Sequence, residues 1–151
     1  WMSSLYRTHH HIPYKNRINW KTFINNEFYS MHNGKEKLED RNMITKKRYK
    51  DIFEVRYLKN KFLIEEMKNK VNNYILLRYE DFLDRYELSM KFVQEKFKLV
   101  RLNEKLIHIN NYKGYGDVKY KKKKYFIPEN VLIEIKKNLN KEQEKSLGYV
   151  I

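Results

Sequence analysis

The feature that most constrains this chain is an order of patterns across its middle. A long helical stripe is followed by a short unbroken apolar run and then by a second helical stripe. Ile52, Val55, Leu58 and Phe62, continued by Leu63, Met67 and Val71, recur at the three- and four-residue steps of one helix face. The spacing predicts a helix over about 46–71, ended by Asn72-Asn73. Tyr74-Ile75-Leu76-Leu77 has the pattern of a strand buried on both faces. Phe82, Tyr86, Met90, Val93 and Phe97 then form the stripe of the next helix. Helix–strand–helix is the grammar of a parallel α/β sheet, so the expected class is α/β.

The remaining segments read more simply. Residues 1–7 form the tail of a helix ending at Arg7, and residues 8–19, with Pro13 and no period, form a loop. Trp20, Phe23 and Ile24 suggest a helix over Trp20–Phe28. The polar stretch at about 30–44 carries Gly34 and reads as a mobile loop. A short strand is expected at Leu106–Ile109 and a loop over 110–126. Pro128 suits the first turn of a helix packing Val131, Leu132, Ile135 and Leu139. Asn140 reads as the N-cap of a last helix, with Gln143 placed as in a capping box and Gly148 as the stop. There is no internal repeat and no sign of a second domain, so residues 1–151 are read as part of a single domain.

A length of 151 residues and an apolar content of 41% are enough for a core and argue against general disorder. No stretch approaches the roughly 18 apolar residues of a membrane span. The absence of cysteine excludes disulfides and thiolate metal sites, and fits either redox compartment. The net charge of +14 favours anionic ligands. It does not name one, because the chain lacks alanine and is heavy in Lys, Asn, Ile and Tyr. AT-rich codons encode those residues, so the lysine excess has a compositional explanation.

Four segments carry a resemblance. Tyr79-Glu80-Asp81 stands where the apolar run gives way to a helix, and in open α/β sheets ligands bind beyond the carboxyl ends of strands. An apolar strand ending in Tyr-Glu-Asp resembles the sulfotransferases that use 3′-phosphoadenosine 5′-phosphosulfate. The start, Trp1-Met2-Ser3-Ser4-Leu5-Tyr6-Arg7 followed by His9-His10-His11, is similar to that family's Arg-Asn-Pro-Tyr-Asp-Trp … Ser … Met-Tyr-Arg-Lys-Pro-His-His. Tyr112-Lys113-Gly114-Tyr115-Gly116-Asp117 resembles its late Arg-Lys-Gly-x-x-Gly-Asp loop, with Tyr112 in place of Arg and one residue fewer between the glycines. Asn138-Leu139-Asn140 through Leu147-Gly148-Tyr149 is similar to its terminal segment.

The resemblance implies a P-loop-like α/β sulfotransferase fold, present in part: helix-dominated, with a short remnant of parallel sheet. It implies that the chain opens in mid-motif as the C-terminal half of a longer enzyme, whose sulfonate-binding half and usual catalytic base lie upstream. Aligned on Trp1 and Tyr6-Arg7, the family's phosphate-binding serine falls on Ser4, which would donate to the 3′-phosphate of the cofactor. Its arginine partner would precede Trp1. Tyr79 would lie against the adenine, and Lys113 and Gly114 would belong to the loop that clasps the phosphate. The intact enzyme would pass a sulfonate from 3′-phosphoadenosine 5′-phosphosulfate to a hydroxyl or amine on a small molecule or glycan, with no metal.

Plainer alternatives stand beside these assignments. Tyr79 can be a packing residue with Glu80 and Asp81 capping the next helix, Ser4 a surface serine near a helix end, and the glycines an ordinary turn. The adjacent His9, His10 and His11 cannot all face one metal in regular structure, although a hydrogen-bonding or proton-accepting role near the acceptor is open to them. Lys119-Tyr120-Lys121-Lys122-Lys123-Lys124-Tyr125 can follow a polyanion or be a solvated loop. The rival functions are therefore a basic nucleic-acid- or polyanion-binding module without catalysis, and a helical scaffold in which every stripe is only core.

Overall fold

The computed structural model describes residues 1–7, 12–101 and 126–151. The chain divides into two compact units, Trp1–Glu66 with Tyr125–Ile151, and Met67–Lys124. The expected strand at 106–109, the loop over 110–126 (its last residue apart), the three histidines and the 119–125 basic run lie outside the described residues.

The first unit opens with helix α1, Met2–Arg7, as the sequence suggests. Met2 is buried, and Leu5 and Tyr6 pack against the core. Arg17, at the end of a 3-10 turn over Tyr14–Arg17, donates to the carbonyls of Tyr6 and Ile12, both at 3.2 Å. It thereby satisfies an orphan carbonyl near the end of α1. Burial pulls the pKa of Arg17 below the ordinary guanidinium value, partly opposed by Tyr14 and Tyr6.

Helix α2, Trp20–Asn25, is capped by Asn19, whose side chain accepts from the N–H of Thr22 at 2.8 Å. It stops earlier than the apolar period suggests. Asn26 is already extended, and Phe28 instead exchanges backbone hydrogen bonds with Tyr49, at 2.9 and 3.2 Å. Three rings fix this corner. Tyr6 stacks on Trp20 with centroids 4.1 Å apart, and both meet Phe23 edge-on.

The polar stretch expected as a loop holds an antiparallel hairpin, β1 (Met31–His32) and β2 (Lys35–Glu36). Asn33 and Gly34 turn it with φ of 48° and 75°, the positive pair that a tight hairpin turn needs. Glu36 faces Arg41 and Arg48, so ion pairing replaces apolar burial and leaves no hydrophobic period to read. Asn42 is buried and acts as a local staple. Its carbonyl oxygen accepts from the N–H groups of Ile44 and Thr45, and its amide donates to Glu54.

The long helix also starts later than predicted. Helix α3 runs Ile52–Lys61, capped by Asp51, which accepts from the N–H of Glu54 at 2.8 Å. The preceding residues are withheld from it because Lys46 has φ 60° and Tyr49 is paired with Phe28. A π-helical turn, Phe62–Glu66, follows, and only the front of the stripe is deeply buried: Ile52 is 0% exposed and Val55 2%.

The core joins Met2, Trp20, Phe23, Ile24, Tyr49, Ile52 and Val55 to Val131 and Ile135. The last two sit on helix α6, Glu129–Asn138, with Pro128 at its N-cap, one position before the first turn. Helix α7, Lys141–Ser146, is capped by Asn140, which accepts from the N–H of Gln143 at 2.9 Å. The side-chain amide of Gln143 donates to the carbonyl of Tyr57, tying α7 to α3. Gly148, at φ 78°, ends α7: its N–H reaches Lys145 and that of Tyr149 reaches Glu144, a Schellman closure.

In the second unit, helix α4, Tyr79–Asp84, breaks at Arg85 and resumes as α5, Tyr86–Phe97. Phe82, Tyr86, Met90, Val93 and Phe97 are half-buried along one face, as the period predicts, and Phe82 meets Tyr86 edge-on at 5.2 Å. The expected strand before them is not formed among the described residues. Tyr74–Leu77 pairs with no strand among the described residues, and Leu76 is 43% exposed. An apolar run becomes a strand only when a neighbour takes its N–H and C=O groups. The described residues are thus helix-dominated, with a two-stranded antiparallel sheet and no parallel one. None of their helices is long and apolar enough to cross a membrane.

Candidate functional site

Ser4 lies on α1, which turns Met2 into the core. Ser3 is partly covered by that packing, whereas Ser4 is exposed. The helical period produces this difference: Met2, Leu5 and Tyr6 share the buried face, and Ser4 falls on the opposite one.

Tyr79 is the first residue of α4 and is 56% exposed. Asp81 lies in the first turn of the same helix, whose N-cap residue, Arg78, makes no side-chain cap bond. Arg78 instead clasps the Asp81 side chain, with Nε donating to Oδ2 at 2.5 Å and Nη2 to Oδ1 at 2.6 Å. Those bonds hold the Asp81 carboxyl below the usual carboxylate range. The arrangement fixes the start of α4 without covering Tyr79. Ser4 and Tyr79 belong to different units, and Lys113 and Gly114 lie outside the described residues.

The first unit carries a feature that sequence reasoning did not single out. Two open depressions, of about 360 and 620 Å³, share Glu27, Arg48 and Lys50 as walls and so form one trough. Lys15 lines one end, and Arg41 and Lys47 line the other. Arg48 is its fixed point. The guanidinium covers the ring of Tyr29 at 3.9 Å and donates to Glu36 at 2.8 and 3.1 Å and to Glu27 at 3.3 Å. The Arg48 and Arg41 bonds pull the Glu36 carboxyl down to about 2, and Glu36 in turn raises the pKa of Arg48.

The two arginines are therefore held by carboxylates, while Lys15, Lys47 and Lys50 are exposed and make no ion pair among the described residues. The only aromatic lining residue, Tyr29, is 6% exposed. The lysines give such a surface the charge to take a polar, negatively charged ligand. Among the described residues no cluster of His, Cys, Asp and Glu is placed to hold a metal ion. Compared with protein-family models, curated proteins and solved structures, the chain matches none.

Proposed function

We propose that this protein is a sulfotransferase that takes its sulfonate from 3′-phosphoadenosine 5′-phosphosulfate and passes it to a hydroxyl or amine. The observation that carries the reading is the exposure of Ser4 beside a partly covered Ser3. Alignment of the opening motif on Trp1 and Tyr6-Arg7 selects that same serine, the more accessible of the two.

The exposed ring of Tyr79, at the start of a helix whose first turn is fixed by Arg78 and Asp81, adds support. The resemblance implies that Tyr79 lies against the adenine and that Ser4 donates to a phosphate oxygen. The nucleotide supplies the activated sulfonate; the residues of this chain bind and orient it. A P-loop-like parallel sheet, which the reading also requires, belongs to this proposal and not to the described fold.

The test is calorimetric titration of the full-length protein with adenosine 3′,5′-bisphosphate. Ser4→Ala and Tyr79→Ala should each weaken binding by roughly five- to fiftyfold, the worth of one charge-assisted hydrogen bond or one ring contact. Unchanged affinity in both variants would remove the site assignment. The rival reading, a polyanion-binding module without catalysis, is favoured by the trough around Arg48. It predicts affinity that falls steeply with salt and indifference to the nucleotide.

A further inference from the structure

We infer that the trough around Arg48 seats the acidic groups of an oligosaccharide, with Lys15, Lys47 and Lys50 each meeting a sulfate or carboxylate. The inference rests on the sulfotransferase reading only in calling that oligosaccharide the acceptor; binding itself does not depend on it.

Three observations lead to an acidic glycan. The trough has a rigid floor, because Glu36 and Glu27 hold Arg48 in place and Arg48 is pressed on Tyr29. Its rim is positive and adaptable, since the three lysine ammonium groups have no carboxylate partner among the described residues. Exposed Asn26 adds an amide group that can bond sugar hydroxyls, and exposed Asn25, whose Nδ2 donates to Lys21 and Glu134, adds a carbonyl oxygen that can accept from one.

Single-stranded nucleic acid would need a stacking platform beside its positive groove. The trough has none, since its one ring is buried and covered by a guanidinium. Acidic sugars need charge and hydrogen-bonding groups at intervals, which this lining supplies. The walls come from the 3-10 turn at Tyr14–Arg17, the end of α2 and the segment before Asp51, so no single element makes the surface.

The experiment titrates the full-length protein with a short heparin-derived oligosaccharide, with a single-stranded oligonucleotide of matched charge, and with adenosine 3′,5′-bisphosphate. The variants are the triple Lys15→Gln, Lys47→Gln, Lys50→Gln and, as a control of equal charge loss, the triple Lys136→Gln, Lys137→Gln, Lys141→Gln on exposed positions of α6 and α7. The trough triple should lose about tenfold or more in oligosaccharide affinity, and the control no more than about twofold. Nucleotide affinity should not change in either. Equal losses in the two triples would overturn the inference, because binding would then follow net charge alone. So would an oligonucleotide that binds as tightly through the same lysines. Oligosaccharide binding that depends on the trough, in a protein that ignores the nucleotide, would uphold the site and remove the sulfotransferase reading.

Discussion

Arg56 and Glu144, 88 residues apart in sequence, meet in a two-point ion pair that locks α7 onto α3. Nη2 donates to Oε2 at 2.6 Å while Nε donates to Oε1. Glu144 is 2% exposed, and the guanidinium lies 5.7 Å from the ring centroid of Trp1 and 5.5 Å from that of Tyr149. The hydrogen bonds to Glu144 raise the Arg56 pKa against the opposing effect of burial. The pair thus gathers the first residue, the middle helix and the end of the chain at one point.

Removing one partner should cost more than removing both. Glu144→Ala leaves a half-buried guanidinium without its carboxylate, and about 3 kcal/mol of stability should be lost. The double variant Arg56→Met, Glu144→Leu should recover much of that loss, since an apolar pair avoids the desolvation cost. Urea unfolding of the single and double variants checks both statements.

The pair Glu36–Arg48 should make the hairpin acid-sensitive in a defined window. The folded carboxyl is drawn from its ordinary 4.5 to about 2, so its contribution is full above the unfolded value. It is lost as pH falls through the folded value. The gap in Tm between the wild type and Glu36→Gln should therefore be widest near neutrality and close between about pH 4.5 and pH 2. An unchanged gap across that range would contradict the assignment.

Gly34 is needed for its backbone and not for space. A Cβ there would meet nothing within 4 Å, but φ is +75°. Gly34→Ala should cost about 1 kcal/mol, from the left-handed conformation alone. Circular dichroism melts of the variant measure it.

Exposed and buried positions should separate cleanly. Ile52, fully buried, should lose about 2–5 kcal/mol on replacement by Ala. Tyr79→Ala, at a residue that is 56% exposed, should stay within about 0.5 kcal/mol of wild type. Chemical denaturation of the two variants shows whether any effect of Tyr79→Ala on nucleotide binding is separate from folding.

These contrasts show which parts of the fold were legible in the sequence. Helices α1, α6 and α7 follow from local signals: an apolar period, Pro128 and Asn140 before the first turns, Gly148 after the last. The stripe Phe82–Phe97 was equally plain, although its break at Arg85 was not. The region from about 30 to 44 read only as a loop, and 46–51 as part of the long helix, because polar groups satisfy one another there. Asn42 staples its own turn and Glu36 gathers two arginines, and neither leaves a hydrophobic period. Tyr74–Leu77 finds no pairing strand among the described residues, since an apolar run states a preference for burial and not the presence of a partner.

The candidate site divides in the same way. Ser4 and Tyr79 are proposed through motif resemblance alone, and the helical period of α1 explains why Ser4 is more exposed than Ser3. The trough had no sequence signature. Lys15, Glu27 and Arg48 come from separate segments, and the basic run Lys46-Lys47-Arg48 does not stand out in a chain with 33 lysines and arginines.

The most direct test of the sulfotransferase reading is photolabelling of the full-length protein with an azido-adenine derivative of adenosine 3′,5′-bisphosphate, followed by mass spectrometry of the digested protein. The account predicts label on the peptide that contains Tyr79, displaced by unlabelled nucleotide and lost in Tyr79→Ala. Label that unlabelled nucleotide does not displace, or displaceable label on peptides that exclude Tyr79, would contradict it.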